Sequence, residues 1–269
     1  MKTDFYTKVG NYYDQEALEF DGRYWRNPVL QKIRQAFRDE VKRQDYNSML
    51  EIGCGTGLDL VHFANIHPEV FVHGIDISNE MVGVTRRKIE KLNLTNVEVH
   101  QAAVEDLPTL YSGKKFDLIY VFFGALNTVD SLQENAEILT QMLSPKGTMV
   151  LSFVNKWYLG GIVLETVRFR FRRAFARIKP IWGGYSPIKY LPSKCYTPKQ
   201  VNSAFHSVHL KNKFGFSILH PAWYFTRINK KISRFSRVLW KIDERLSRWH
   251  LWRFGEYTLF TFEHSKSAP

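Results

Sequence analysis

Between residues 45 and 154, short apolar runs alternate with amphipathic stretches, and that alternation decides the fold class. "YNSMLEIGCG", "VFVHGID", "VEVHQAA", "FDLIYVFF" and "TMVLSFV" read as five strands. "TGLDLVHFANI", "NEMVGVTRRKIEKLNL" and "LQENAEILTQML" between them read as helices, with "SPKG" a turn. Four apolar residues in a row within "FDLIYVFF" fit a strand covered on both faces. Strands alternating with helices imply a doubly wound, mostly parallel sheet. "HLKNKFGFSILHP" and "GEYTLFTFEH" supply a sixth and a seventh strand, so the class is α/β.

The chain divides into four stretches of one structural domain. Residues 1–44 hold aromatics and a helix, "NPVLQKIRQAFRDEVKRQ", that caps the sheet. Residues 45–154 form the core, 155–200 a first insertion, and 201–269 the end of the sheet with a second insertion at 221–253. At 269 residues and 44% hydrophobic, the chain can bury a substantial core. No stretch approaches the roughly 18 apolar residues of a membrane span. The N-terminus lacks the apolar centre of a secretion signal. Two distant cysteines, Cys54 and Cys195, make neither a disulfide framework nor a metal site. A cytoplasmic protein is the expectation, with no metal.

"LEIGCGTG" places Gly53, Gly55 and Gly57 at a strand-to-helix turn, where positive φ lets a ligand lie against bare backbone. The sixth place of the dinucleotide fingerprint is Leu58 instead of a small residue. Glu51 ahead of the loop would repel a pyrophosphate, so a cationic or zwitterionic ligand suits it better. Asp76, ending the second strand, can accept two ribose hydroxyls.

These residues resemble the class I S-adenosylmethionine (SAM) dependent methyltransferases over roughly residues 46–154. "LEIGCGTG" is similar to that family's first motif and "HGIDIS" to its ribose-binding motif. "FDLIYVFFGALN" and "LTQMLSPKGTMVLS" resemble its later motifs. Among its members the chain is most similar to small-molecule enzymes such as the quinone-pathway methyltransferases. The resemblance implies a seven-stranded Rossmann-like sheet with helical lid insertions after strands five and six. It implies SAM as cofactor and S-adenosylhomocysteine as product. Glu51, Gly53, Cys54, Gly55 and Gly57 would frame the methionine end, and Asp76 the ribose. Ile77 and Met81 would pack on adenine, and Phe122 would line the methyl side. The family's usual acid for the adenine amino group is replaced by Ala103, leaving the Val104 backbone or Glu105 for that contact.

A sulfonium donor is already activated, so alignment and desolvation can supply much of the rate. A phenol, alcohol or carbon acid would also need a base. His220, after the sixth strand, is the candidate base; a structural, capping histidine is the other reading. Tyr6 and Tyr13 either close over the ligands or pack the N-terminal cap. Asn127, Tyr185 and Trp223 complete the candidates for acceptor contact.

Net charge is +12, and it is localised. Residues 155–200 carry ten cations against one acid and 221–253 carry nine against two, so the rest of the chain is −4. If the fifth and sixth strands are parallel, both insertions overhang the ligand edge of the sheet. Both show apolar residues at helical spacing, Leu164 to Ile178 and Phe225 to Trp249. Three readings stand: a packed lid with solvated cations, a surface for anionic membrane, or a surface for nucleic acid. The sequence thus points to methyl transfer onto a small, amphipathic or anionic acceptor, in the cytoplasm or peripheral on the inner membrane face. RNA methylation is the alternative. A SAM-binding protein without catalysis is a third class.

Overall fold

The computed structural model describes residues 4–186 and 189–264. Three helices come first: α1 (Asp4–Asp14), α2 (Ala17–Trp25) and α3 (Pro28–Val41). Asn27 fixes the start of α3, accepting from the Val29 and Leu30 N–H groups at 3.1 and 3.2 Å, with proline at the first helical position. Strands and helices then alternate: β1 (Ser48–Ile52), α4 (Leu60–Ile66), β2 (Phe71–Asp76), α5 (Asn79–Lys91), β3 (Val97–Gln101), α6 (Leu107–Leu110), β4 (Phe116–Val121), α7 (Leu132–Met142) and β5 (Leu143–Val154). The "SPKG" segment lies inside β5, where the pairing with β4 shifts register between Phe116 and Leu118.

The seven strands run in the order β3-β2-β1-β4-β5-β7-β6, with β6 at Val208–Phe216 and β7 at Tyr257–His264. Strands β1 to β5 are parallel, and β7 is antiparallel to both β5 and β6. β6 therefore points the same way as β5. The segments following both strands leave the sheet at its C-terminal edge.

Alternation along the strands divides the core into two layers. Leu118 and Tyr120 face one side, with α3 and α4 residues such as Phe37 and Phe63. Ile119 and Val121 face the other, with α6 and α7 residues such as Leu107 and Leu139. Both faces are covered, which is why the β4 run is apolar without interruption.

The two insertions are more broken than their periodicity predicts. The first forms α8 (Leu159–Val167) and α9 (Phe171–Ala174), parted at Phe169, whose φ is +58°. It returns to the core through α10 (Pro198–Ala204). The second forms α11 (Thr226–Lys231) and α12 (Ser236–Ser247) instead of one long helix. The turn between them lets α12 present Asp243, which accepts from the Ile218 and Leu219 N–H groups at 3.0 and 2.7 Å. Arg168 lies over the Phe225 ring, 5.3 Å from its centroid, joining the insertions.

Candidate active site

The site is built where β1 and β2 end. Gly53 and Cys54 donate backbone N–H bonds to the Ile75 carbonyl at 2.8 and 3.0 Å, folding the glycine loop back over β2. Gly53, Gly55 and Gly57 have φ of +68°, +56° and +75°. A Cβ built on Gly55 would meet nothing nearer than the Phe20 ring, at 3.9 Å, so this glycine faces open space under α2. Asp76 closes the corner, accepting from Gly55 N at 2.7 Å and Ser78 N at 2.9 Å. Burial raises its carboxyl to about 6, opposed by those two N–H bonds.

A cavity of about 120 Å³ lies against this corner, lined by Gly53, Gly55, Asp76, Ile77, Met81, Val104 and Phe122, with Tyr6, Val9, Tyr13 and Phe20 above. The roof is latched. Asp14 accepts from Ser78 Oγ at 2.6 Å and Glu80 N at 3.1 Å. Asp21 takes a hydrogen bond from Thr56 Oγ1 and an ion pair from Lys88, each at 2.5 Å. Tyr6 is held by a hydrogen bond to Glu105, which also accepts from Asn135 Nδ2 at 2.8 Å. Burial and Glu105 push the Tyr6 phenol up, so it stays neutral.

Residues 44–172 match the family model of a methyltransferase domain. The chain carries a class I SAM-dependent methyltransferase domain. A demethylmenaquinone methyltransferase of Bacillus mycoides is 25% identical over 235 residues, covering 81% of this chain and 92% of that protein. An uncharacterized protein of Methanocaldococcus jannaschii is 30% identical over 166 residues, covering 61% of this chain. The chain spans 59% of that relative's length. The solved N-methyltransferase NodS from Bradyrhizobium japonicum WM9, in complex with S-adenosyl-L-homocysteine, has the same fold. Its TM-score is 0.59 at 12% identity, over 96% of this chain and 100% of that one.

The methyltransferase domain fits its cofactor at this corner. Gly55 leaves a cradle that a side chain would fill, and Asp76 keeps lone pairs facing the cavity. About 120 Å³ is below the roughly 300 Å³ at which small-molecule pockets begin, so the latched helices narrow the donor site.

Other sequence-based candidates lie elsewhere. Glu51 is buried beneath the loop and accepts from the Tyr120 hydroxyl at 3.0 Å. Burial, then nearby Asp59, holds its carboxyl well above the usual range, and it does not line the cavity. The Cys54 thiol is buried, 3.4 Å from where a Cβ on Gly74 would lie. A Cβ on Gly57 would come 2.7 Å from Thr85 Cγ2; that glycine admits α5 rather than ligand. Glu105 is not in the cavity lining; its Oε1 accepts from Tyr6 and Asn135, and its Oε2 has no partner among the described residues. Asn127 ties the chain together, donating to the Val154 and Lys194 carbonyls at 3.2 and 2.6 Å and accepting from Val154 N at 2.8 Å.

His220 is not at the donor cavity. Its Nδ1 is 3.0 Å from the Pro221 carbonyl, its Nε2 is 2.9 Å from Ser236 Oγ, and its ring stacks on Trp240. Both nitrogens are engaged and the residue is 1% exposed, so it serves as a structural histidine. Tyr185 and Trp223, with ring centroids 4.9 Å apart, belong to an aromatic cluster behind Phe123, away from the glycine loop. Sequence reasoning missed Phe20, Phe123 and Ala125. A Cβ on Gly53 would come 2.4 Å from Ala125 Cβ, so a small residue at 125 was the available signal.

With Asp76 held up to about 6, SAM affinity should depend on pH. Above that value the ionised carboxylate is the stronger acceptor for ribose hydroxyls; below it, one oxygen carries a proton. The difference between charged and neutral acceptors is about 1 kcal/mol. Calorimetry should therefore show about fivefold weaker SAM binding at pH 5 than at pH 7.5. Asp76→Asn should bind more weakly and show no such step.

Proposed function

We propose that the protein transfers a methyl group from SAM to a small organic acceptor, amphipathic or anionic, met at the cytoplasmic surface of a membrane. The carrying observation is that both cationic insertions leave the C-terminal edge of the sheet, where the glycine loop and Asp76 stand. The Bacillus relative's name supports a small-molecule acceptor.

The first insertion offers a surface suited to anionic lipid. Val167, Phe169 and Phe171 are 72%, 83% and 53% exposed, and Arg168, Arg170 and Arg172 alternate with them. Each cation near an anionic surface adds about 1 kcal/mol. No helix among the described residues is long and apolar enough to cross a membrane.

The lining of the donor cavity includes Asp76, Tyr6 and Tyr13, with no histidine or lysine. Asp76 is bonded to the loop, and Tyr6 to Glu105. An acceptor that is already nucleophilic, such as an amine, carboxylate or ionised phenol, suits that lining. SAM supplies the electrophilic methyl group; the chain's residues hold, align and exclude water.

Incubation with labelled SAM and fractionated cell extract tests the reading. Label should enter small organic molecules of the lipid or acidic metabolite fraction. Label in RNA, or none in any fraction, would overturn it. Sedimentation with anionic vesicles tests the membrane clause: Phe169→Ser with Arg170→Gln and Arg172→Gln should release the protein, and equal sedimentation of variant and native protein would remove that clause.

A further inference from the structure

A second cavity, of about 460 Å³, lies within the first insertion and reaches residues of the second. That volume suits a small molecule. Its aromatic wall includes Tyr158, Trp182, Tyr185 and Tyr224. Packed side chains stand between this wall and the donor cavity. The Tyr185 hydroxyl lies 3.0 Å from that of Tyr257, whose ring centroid is 5.6 Å from that of Phe123, a residue lining the donor cavity.

Charge within the second cavity is unevenly neutralised. Arg177 is committed to Glu256, with Nη2 3.2 Å from Oε1, and Lys189 pairs with Glu16. Lys156 and Arg173 also line the cavity, and neither side chain has an ion-pair or hydrogen-bond partner among the described residues. The single lining acid, Glu165, is 9% exposed; its Oε1 lies 3.5 Å from Arg168 and its Oε2 has no partner. A buried carboxylate oxygen without a donor is costly unless something else supplies one.

We infer that this second cavity is a binding site, separate from the donor cavity, for an organic acid with an aromatic body: Lys156 and Arg173 take its anionic group, the aromatic wall its ring, and Glu165 a hydroxyl or amino hydrogen. This goes beyond the methyl-transfer reading above, by naming the chemical class of a second ligand and the residues that select it. Two unpaired cations favour an anion over its uncharged isostere. The partnerless Glu165 oxygen favours an acid that also carries a hydrogen-bond donor.

Calorimetry with hydroxynaphthoate and its uncharged amide, hydroxynaphthamide, tests the assignment. The native protein should bind the acid at least about tenfold more tightly than the amide, since each 1.4 kcal/mol is a factor of ten. Lys156→Gln with Arg173→Gln should abolish that preference, while Lys179→Gln, outside the cavity, should keep it. Thermal melts should show all variants folded. The inference is overturned if the native protein binds the acid no better than the amide, binds neither, or keeps its preference in the double variant. SAM titrated into the same samples separates the two readings. SAM binding without acid preference sinks this inference alone; no SAM binding by the native protein sinks the methyl-transfer reading.

Discussion

Replacing Gly55 with valine is expected to lower SAM affinity at least about 100-fold while the protein stays folded. The residue sits at φ +56°, where a side chain costs about 1–2 kcal/mol. No protein atom stands nearer to its Cβ position than the Phe20 ring at 3.9 Å, so no clash adds to that cost. A β-branched side chain would instead occupy the space between the glycine loop and α2, which the cofactor needs. The melting temperature should fall by only about 2–8 °C. Gly57→Ala provides the contrast. Its Cβ would press on Thr85, so it should cost stability, and SAM affinity of the folded fraction should change little. Calorimetry alongside thermal melts reads both effects. Undiminished SAM binding by folded Gly55→Val would remove the glycine loop from the site.

The sheet was legible because each strand announced itself locally. The run Leu118 to Val121 had to be covered on both faces, and the two core layers cover it. The direction of β6 followed from the resemblance, and with it the placing of both cationic insertions over one edge. Helix continuity was not legible. The apolar spacing of 164–178 and 225–249 continues through the breaks at Phe169 and between α11 and α12, where neither glycine nor proline marks a turn. Periodicity records which face is apolar and is blind to a backbone that reverses to satisfy distant groups, as α12 does in bringing Asp243 to residues 218–220.

Polar candidates failed for one shared reason. Asn127 and His220 stand near the expected ligand edge in sequence, yet each is consumed by partners across the fold. A histidine at the end of β6 reads as a base only until Ser236 and Trp240, from the following helix, are placed around it. Aromatic residues of the cap were easier. Tyr6 and Tyr13 reach the donor cavity because α1 lies across α5 and the ends of the strands, held there by Asp14. The cap's latches thus order the walls of the donor cavity.

Asp59 is where that cap is tied most firmly, and Asp59→Asn is expected to cost about 3 kcal/mol. The carboxylate is 1% exposed and bonded to two α3 arginines: it pairs with Arg34, and it accepts from Arg38 Nε at 2.7 Å. Arg34 is itself buried, its guanidinium 4.6 Å from the ring centroids of both Tyr24 and Phe123. Arginine does not shed its proton in a protein, so losing the carboxylate strands two cations. Glu51 is the second acid of this cluster, and it should behave in the opposite way. Burial and Asp59 hold its carboxyl well above the usual range, against the pull of the Tyr120 hydroxyl and the two arginines. Glu51→Gln keeps the acceptor for the Tyr120 hydroxyl and should cost under about 1 kcal/mol. Removing Asp59 also removes one of the causes holding Glu51 up, leaving Arg34 and Arg38 to favour its ionisation. Glu51 then supplies part of the missing charge, so the double variant should lose more than the two single losses added, by about 1 kcal/mol. Denaturant melts of the four proteins at pH 7 close this cycle. A Glu51→Gln loss as large as that of Asp59→Asn would mean that Glu51, not Asp59, carries the charge that anchors the cap.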